Sequence, residues 1–505
     1  MIRRIEISNF RSIQNLIIEP QHLCALIGPN SVGKTNILKA IDLIIGEGWA
    51  TKAKIARELF YDVQQPILIK IFFQKPVTFT SVRGFNVSIN SIELNMRFLP
   101  ELSAKTTINN GQTFYDQEQF KRHCHFIYIE SERQLSSELR VSQWTMLGKM
   151  MRLVYENYLA HYENDSDGLR TDFETKIKPA KDFLEDDFSE DAITFCKFSE
   201  TFKKYCKENS SGLACEFDPV LNIYNLNWFY KTLQIQVTEE NPEKHFDSED
   251  VGSGMQNLLL LSIFQTYAEL MGGKAIFGIE EPEIFLYPHA QRSLYSCLKK
   301  LSENSQIFYT THNTNFVDAT RPDDIVLLRK LPETGTFALE KDSAFNKENA
   351  VKYYHKTYAN FNNERNEIFF SKKCLLVEGD SDKILIQTLC SEKWNIPLDN
   401  KGISVIDCSG KGGVVYFLNV CHWVGISEYF AVWDRDTDIT DCNNVLQNAL
   451  EESRGMEFIP NLEKAIGLPA GNGAAKIKNA YEWALNISPS RIPRLLNQVQ
   501  AFLNS

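Results

Sequence analysis

Paired cysteines are missing from this chain. Its eleven cysteines, an odd number, are scattered, and no Cys-x-x-Cys pair occurs. This removes both a disulfide framework and a cysteine-type zinc site, and the thiols read instead as small apolar residues in a reducing compartment. Long apolar runs are also missing: nothing approaches the eighteen or so residues that span a bilayer. The opening Met1-Ile-Arg-Arg-Ile-Glu-Ile alternates like a strand and lacks the apolar block of a signal peptide. A cytoplasmic protein with no membrane association is the expectation. Positive charge is scarce, the net charge being −11, which excludes a generally basic nucleic-acid binder but not a local basic groove. No internal repeat or low-complexity segment stands out. Ordinary hydrophobic (43%) and charged (24%) fractions over 505 residues imply roughly two to four domains with sizeable cores.

What is present begins with phosphate chemistry. The apolar run Leu23-Cys-Ala-Leu-Ile27 leads into Gly28-Pro-Asn30-Ser31-Val-Gly33-Lys34-Thr35, and Asn36-Ile-Leu-Lys-Ala-Ile-Asp-Leu-Ile continues as a helix. Strand, glycine-rich turn and helix N-terminus in that order form a P-loop, in which backbone N–H groups and the helix dipole converge on phosphate oxygens. A second buried strand, Ala275-Ile-Phe-Gly-Ile279, ends in Glu280-Glu281-Pro-Glu283. If that strand lies beside the P-loop, Glu280 reaches the hydration shell of a nucleotide-bound Mg²⁺ next to Thr35, and Glu281 polarises the attacking water. Gly252-Ser253-Gly254-Met255-Gln256 opens an apolar helix and forms a further anion site. Gln306-Ile-Phe-Tyr-Thr-Thr311-His312 is a strand ending in histidine.

Between these motifs the character changes. Met146, Met150, Leu153, Val154, Tyr158 and Leu159 fall at helical spacing from about residue 138, which predicts a helical insertion with a face for dimerisation. Glu163 to Glu174 nearly fits a calcium loop, with Gly168 sixth and Glu174 twelfth. Position one is Glu, however, and the usually apolar position eight is Arg170, so an acidic stretch between helices is preferred. The expected layout is an N-terminal ATPase part over 1–137, the insertion over 138–225, the C-terminal ATPase part over 226–345, a polar linker over 346–368 and a separate α/β domain over 369–505.

The last domain carries a second carboxylate set. Lys372-Lys-Cys-Leu-Leu-Val-Glu378-Gly379-Asp380-Ser-Asp382 is an apolar strand ending in Glu-Gly, with an acid four residues on. Tyr429-Phe-Ala-Val-Trp-Asp434-Arg-Asp436 is another, and alternate residues at a strand end project the same way. Hard carboxylate oxygens suit Mg²⁺ or Mn²⁺ rather than zinc. Gly410-Lys411-Gly-Gly follows a strand and reads as a phosphate-approach loop.

In this order, Gly252–Gln256 resembles the signature sequence of ATP-binding cassettes, whose Ser253, Gly254 and Gln256 positions contact ATP on the opposite subunit. His312 is similar to the cassette switch histidine that senses the γ-phosphate. Ile7-Ser-Asn-Phe-Arg-Ser12 and Ile279-Glu-Glu-Pro-Glu283 resemble the SMC/RecF branch of these ATPases, as does Tyr128-Ile-Glu-Ser-Glu-Arg133. Glu280 stands where many cassettes have Asp, and among Gln64, Gln65 and Gln74 no Q-loop residue is assigned. The acidic strand ends resemble a Toprim domain. A cassette fused to a C-terminal Toprim domain is identified as a member of the overcoming-lysogenisation-defect (OLD) family, which includes the Gabija nuclease and retron-associated nucleases. The resemblance implies an α/β fold, with an ABC-type ATPase bearing a helical insertion and then a Toprim domain. It also implies metal at Glu378, Asp382, Asp434 and Asp436, with Glu463 as a further ligand. Two metals would activate water and stabilise the leaving 3′ oxygen. A late lysine stabilising transition-state charge is Lys476 or Lys478, Lys476 being preferred. The implied protein is an ATP-regulated, metal-dependent DNA endonuclease or nickase, acting as a homodimer or higher oligomer. A defence partner such as a helicase, or a retron reverse transcriptase with its RNA–DNA, is also implied. The competing expectations are an ATP-driven recombination or repair clamp that does not cut and, more remotely, a transport ATPase.

Overall fold

The computed structural model describes residues 1–131, 275–341, 364–435 and 444–505 apart from a few single positions, and within 132–274 chiefly 166–186 plus short or scattered stretches. Met1–Ser131 and Met271–Ser505 form one compact unit, and Glu132–Leu270 a second.

The first unit is built on a twelve-stranded sheet. Its strands up to residue 129 are β1 (Ile2–Phe10), β2 (Ile13–Ile18), β3 (Leu23–Ile27), β4 (Ile67–Thr80), β5 (Asn86–Arg97), β6 (Ser103–Ile108), β7 (Gln112–Thr113) and β8 (His125–Ile129). The second unit contributes an isolated antiparallel pair, β9 (Gln236–Thr238) and β10 (His245–Asp247). β11 (Ala275–Glu280), β12 (Gln306–Thr311), β13 (Ile325–Leu331) and β14 (Gly335–Ala338) return to the large sheet. The order across it is β7-β6-β5-β4-β1-β2-β14-β13-β3-β12-β11-β8.

Burial divides this sheet in two. In β1 and β4 the isoleucines Ile5, Ile7, Ile67, Ile69 and Ile71 are buried with more exposed residues alternating between them, as a half-covered antiparallel sheet requires. β3, β11 and β12 are buried at every position and pair in parallel, so acids can appear only at their ends. Helix α1 (Lys34–Ile45) follows the P-loop and contributes Ile37, Leu38, Ile41, Ile44 and Ile45 to the core. The buried Gln306 side chain joins the two halves: it accepts from Ile2 N–H at 2.6 Å and donates to Ile2 O at 2.9 Å.

One expectation changes here. The strand carrying Glu280 does not lie beside the P-loop strand. β12, which leads to His312, is inserted between β3 and β11. His312 therefore follows the P-loop strand's direct neighbour, with the Glu280 strand one position further out.

Helix α2 (Gln117–His123) packs near β4, and α3 (Ser166–Glu185) belongs to the second unit. Because α3 begins at Ser166, positions four to twelve of the calcium-like pattern are helical, and Lys176 pairs with Asp172 one turn back. A calcium loop is excluded there. Of the insertion's apolar stripe, Met150 is buried and Val154 half-buried. Met146, Leu153, Tyr158 and Leu159 lie outside the described residues.

Helix α4 (Pro288–Leu301) joins β11 to β12, and after β14 the chain enters a four-stranded parallel sheet of order β16-β15-β17-β18. Its strands are β15 (Lys373–Val377), β16 (Ile403–Asp407), β17 (Tyr429–Asp434) and β18 (Gly455–Phe458). The helices are α5 (Asp380–Leu389), α6 (Leu398–Lys401), α7 (Lys411–Trp423), α8 (Asn444–Glu451), α9 (Leu462–Ile466), α10 (Ala474–Asn486) and α11 (Asn497–Asn504). α5 packs closely on α10, where Ala480 and Ala484 are fully buried. Six of the seven described cysteines are buried.

Packing under β17 is tight. A Cβ on Gly455 would meet the fully buried Trp433 ring at 2.7 Å. Gly455→Ala is expected to cost about 1–3 kcal/mol, read as a lowered midpoint in thermal unfolding.

Candidate functional site

The P-loop is shaped by residues behind it as much as by its own. Gly33 has φ 101°, and a Cβ there would lie 2.5 Å from Thr336 Oγ1 and 2.6 Å from Ser12 Oγ. The buried Thr336 hydroxyl donates to Val32 O at 2.7 Å, and Asn36 Nδ2 donates to Ser12 Oγ at 2.8 Å. These contacts clamp the turn from Phe10–Ile13 and β14, segments remote from it in sequence. Gly33 caps α1 without a side chain, which leaves the N–H groups of Lys34 and Thr35 for phosphate oxygens, while Asn36 N–H bonds Gly33 O at 3.0 Å. Ser31 is exposed with φ 61°, and Asn30 beside it is exposed. Lys34 is buried, its ammonium donating to Gly28 O at 2.9 Å and Pro29 O at 3.0 Å. Burial lowers the Lys34 pKa to about 8, while Glu281 and Glu283 pull it back up. Those acids therefore face the P-loop from across β12.

Each acid after β11 has its own surroundings. Glu280 is buried, and both of its oxygens are engaged. Tyr128 Oη donates to Oε1, and Ser131 donates to Oε2 from its hydroxyl at 3.1 Å and its N–H at 3.3 Å. Glu281 has φ 43°, a sparsely allowed conformation for a side chain of this size. Its N–H bonds Thr310 O at 3.0 Å, so the strained residue is pinned to the β12 strand. Glu283 is buried, accepting from Thr311 Oγ1 at 2.5 Å and His312 N–H at 3.1 Å. Burial raises its pKa against those bonds. His312 Nε2 lies 3.7 Å from Glu281 Oε1, too long for a hydrogen bond. Burial and Lys34 lower the imidazole to about 4, so it is neutral near pH 7 and the pair is not ionic. Sequence reasoning read Tyr128–Arg133 only as a family segment whose Arg133 lies near the ATP site, and Arg133 lies outside the described residues. That reading did not find the grip of Tyr128 and Ser131 on Glu280, which depends on β8 pairing with β11.

In the second unit, Gly254 and Gln256 stand in the first turn of a helical stretch, Gln256 buried, with its N–H bonded to Gly252 O at 3.1 Å. Ser253 lies outside the described residues.

The other site sits at the carboxyl ends of β15 and β17, adjacent parallel strands. Asp434 N–H donates to Glu378 Oε2 at 2.8 Å, bringing the two strand ends together. Asp434 Oδ1 accepts from Leu462 N–H at 2.8 Å. Asp382, in the first turn of α5, accepts from Gly379 N–H at 3.1 Å through Oδ2, while its Oδ1 is buried without a partner. Burial, then Asp434 and Glu378, push Asp382 up to about 7. Burial, opposed by Leu462 N–H and aided by Glu378, takes Asp434 to about 6. Lys476 Nζ lies 2.7 Å from Glu463 Oε1. Burial lowers the Lys476 ammonium, but Glu463, Asp434 and Asp382 more than reverse this. Lys478 instead points to Glu482 at 3.6 Å on an exposed face. Lys411 Nζ donates to Arg435 O at 2.7 Å, beside Asp434. Asp436 lies outside the described residues.

Among the described residues, no three histidine, cysteine or carboxylate side chains are drawn together as a finished cation cage. The donor set still fits a divalent ion. Three hard carboxylates converge, Asp382 presents a buried oxygen with no partner, and Asp434 and Glu378 raise the affinity of Asp382 for positive charge.

Two outcomes follow. The His312 imidazole should titrate near pH 4 in NMR, assigned by loss of its signal in His312→Gln; a midpoint near 6.5 would contradict the burial. Lys476→Ala should lower metal-dependent cleavage at least about tenfold, with Lys478→Ala within about twofold.

The AAA ATPase domain family matches residues 1–120 and 84–317, and the Toprim domain of overcoming-lysogenization-defect-like proteins matches 369–436. The OLD nuclease of Thermus scotoductus is 26% identical over 532 aligned positions, covering 99% of this chain and 95% of that protein. The Old nuclease of Escherichia phage P2 is 20% identical over 506, covering 90% and 83%. Among solved structures, an Smc head domain from Pyrococcus furiosus, bound to the C-terminal domain of ScpA, gives a TM-score of 0.40 at 15% identity. It covers 71% of this chain and 99% of the other. An AAA ATPase domain that spans most of the chain, followed by an OLD-like Toprim domain, places the protein in the OLD family.

Proposed function

We propose that this chain is an ATP-regulated, divalent-metal-dependent DNA endonuclease or nickase. The observation that carries the reading is the convergence of Glu378 and Asp434, at the ends of adjacent parallel strands, with Asp382 in the first turn of α5, its Oδ1 buried and unpartnered. The relatives' names as nucleases support it. Glu378, Asp382, Asp434 and Asp436 would hold Mg²⁺ or Mn²⁺, which supplies a water-derived nucleophile and neutralises charge at the leaving 3′ oxygen. Lys476, oriented by Glu463, faces the same carboxylates and balances charge building on the scissile phosphate. Glu463 Oε1 is engaged by that lysine, so Glu463 acts as an ion ligand only through its other oxygen.

The nucleotide site has a controlling role in this reading. Asn30, Ser31, Gly33, Lys34 and Asn36 surround the phosphates, and Thr35 with Glu280 would hold the nucleotide's Mg²⁺. Glu281 orients water, and neutral His312 meets the γ-phosphate. Ser253, Gly254 and Gln256 would complete the site of a second copy, making ATP occupancy and dimerisation one event. ATP then gates DNA access to the carboxylates. A role in antiphage defence, with a helicase or a reverse transcriptase and its RNA–DNA as partner, extends the proposal. No helix among the described residues is long and apolar enough to cross a membrane.

The test is nicking of supercoiled plasmid with Mg²⁺ or Mn²⁺. Asp434→Ala should abolish cleavage, a drop of more than about a hundredfold, while ATP binding stays within about twofold. Cleavage that survives in the purified variant would remove the chemistry from this site. Retained ATP-dependent DNA binding with no cutting by the wild type would favour the clamp.

A further inference from the structure

The polar stretch before β15 reads in the sequence as a linker, yet its last residues are packed. A short 3₁₀ turn, Arg365–Phe369, buries Arg365, Asn366, Ile368 and Phe369. Its two polar members face different sites. Asn366 Nδ2 donates to Thr314 O at 3.0 Å and Val317 O at 3.1 Å. Those carbonyls belong to the turn directly after His312. Arg365 Nη2 donates to Asp407 Oδ2 at 3.0 Å and to Ser409 Oγ. Asp407 ends β16, its other oxygen accepts from Ser409 N–H at 2.8 Å, and Gly410 N–H donates to Glu378 O at 2.7 Å.

We propose that Arg365 and Asn366 are positioning residues that couple the two sites, so that movement of the turn after His312 is passed to the loop that holds Glu378. This rests on the reading of the chain as an ATP-gated nuclease. The physical case is that both contacts are directional and shielded, Asn366 being buried and the Arg365–Asp407 pair part-buried. Breaking such a pair at one end leaves a partly desolvated charge uncompensated, and a buried amide gives up its carbonyl partners only at the full desolvation penalty. Arg365 and Asn366 are adjacent in one tight turn. A shift of the Thr314–Val317 carbonyls must therefore either break the Asn366 bonds or carry Arg365 with it. Displacing Arg365 moves Asp407 and Ser409, and through Gly410 the backbone of Glu378. Neither residue touches the carboxylate oxygens, the nucleotide phosphates or the scissile bond.

The test is the ratio of plasmid nicking with and without a non-hydrolysable ATP analogue, measured with Mn²⁺ on the full chain. In the wild type the ratio should differ from one. In Asn366→Ala it should fall to about one, with nucleotide affinity and nucleotide-free nicking within about twofold of wild type. Arg365→Lys, which keeps the charge at Asp407 but has a single branch, should give an intermediate ratio. A wild-type ratio of one would overturn ATP gating itself and this coupling with it. A wild-type ratio away from one that Asn366→Ala leaves unchanged would overturn the coupling alone. Should that variant fail to fold, hydrogen exchange of the wild-type 407–414 segment decides. Slowed or quickened exchange on adding the analogue supports the link, and no change overturns it.

Discussion

A parallel strand buried on both faces has nowhere to place a charge except at its end, and both sites of this protein are built on that constraint. β3 and β11 in the large sheet, and β15 after its first residue and β17 in the small one, are largely apolar up to their ends and then release acids or a glycine-rich turn, while β12 ends in two buried threonines and His312. The acids arrive half-desolvated, so each must find a donor, a cation or a proton. The two sites answer differently. At the nucleotide site, Tyr128 and Ser131 satisfy Glu280, Thr311 and His312 N–H satisfy one oxygen of Glu283, and Lys34 supplies positive charge opposite. At the second site the Lys476 ammonium is already held by Glu463, and that of Lys411 by the Arg435 carbonyl. Glu378 therefore raises the proton affinity of both Asp382 and Asp434, and Asp434 raises that of Asp382 further. The same imbalance that favours protons favours a divalent cation, which brings twice the charge and accepts several oxygens at once.

Position in the sheet adds a second consequence. Because β12 lies between the P-loop strand and the Glu280 strand, His312 leaves the sheet next to the phosphate loop and is followed at once by the Thr314–Phe316 turn. Gln291 holds Asn313 and Asn315 around that turn, and Asn366 closes on it from the start of the Toprim part. A segment that looks like a connector by composition thus bonds the turn after His312 with its amide and Asp407, at the end of β16, with its guanidinium. Composition cannot register this, because a polar residue reads the same whether water or a buried carbonyl satisfies it.

Much of both sites was legible in advance. The P-loop, the acids after β11, His312, and the pair Glu378 and Asp434 were readable because each sits where a local pattern ends. Other features were not readable. Tyr128 and Ser131 precede Glu280 by about 150 positions, and only the pairing of β8 with β11 brings them together. Lys476 and Lys478 are two residues apart on one helix and chemically identical. Their difference is the face of α10 each occupies, set by the packing of α10 on α5. Adjacency of the Glu280 strand to the P-loop was expected and does not occur, because sequence order contains no rule for where β12 inserts.

The amino-acid sequence by itself determined the element types, the strand-end chemistry and the membership of two sites, since these follow from local periodicity, glycine placement and the cost of burying charge. Tertiary structure alone decided which distant donors satisfy which acid, which lysine faces the carboxylates and how Arg365 and Asn366 bridge two parts of the chain. Those outcomes depend on distances between segments far apart in sequence, and such distances are fixed only when the sheets have paired and the helices have packed.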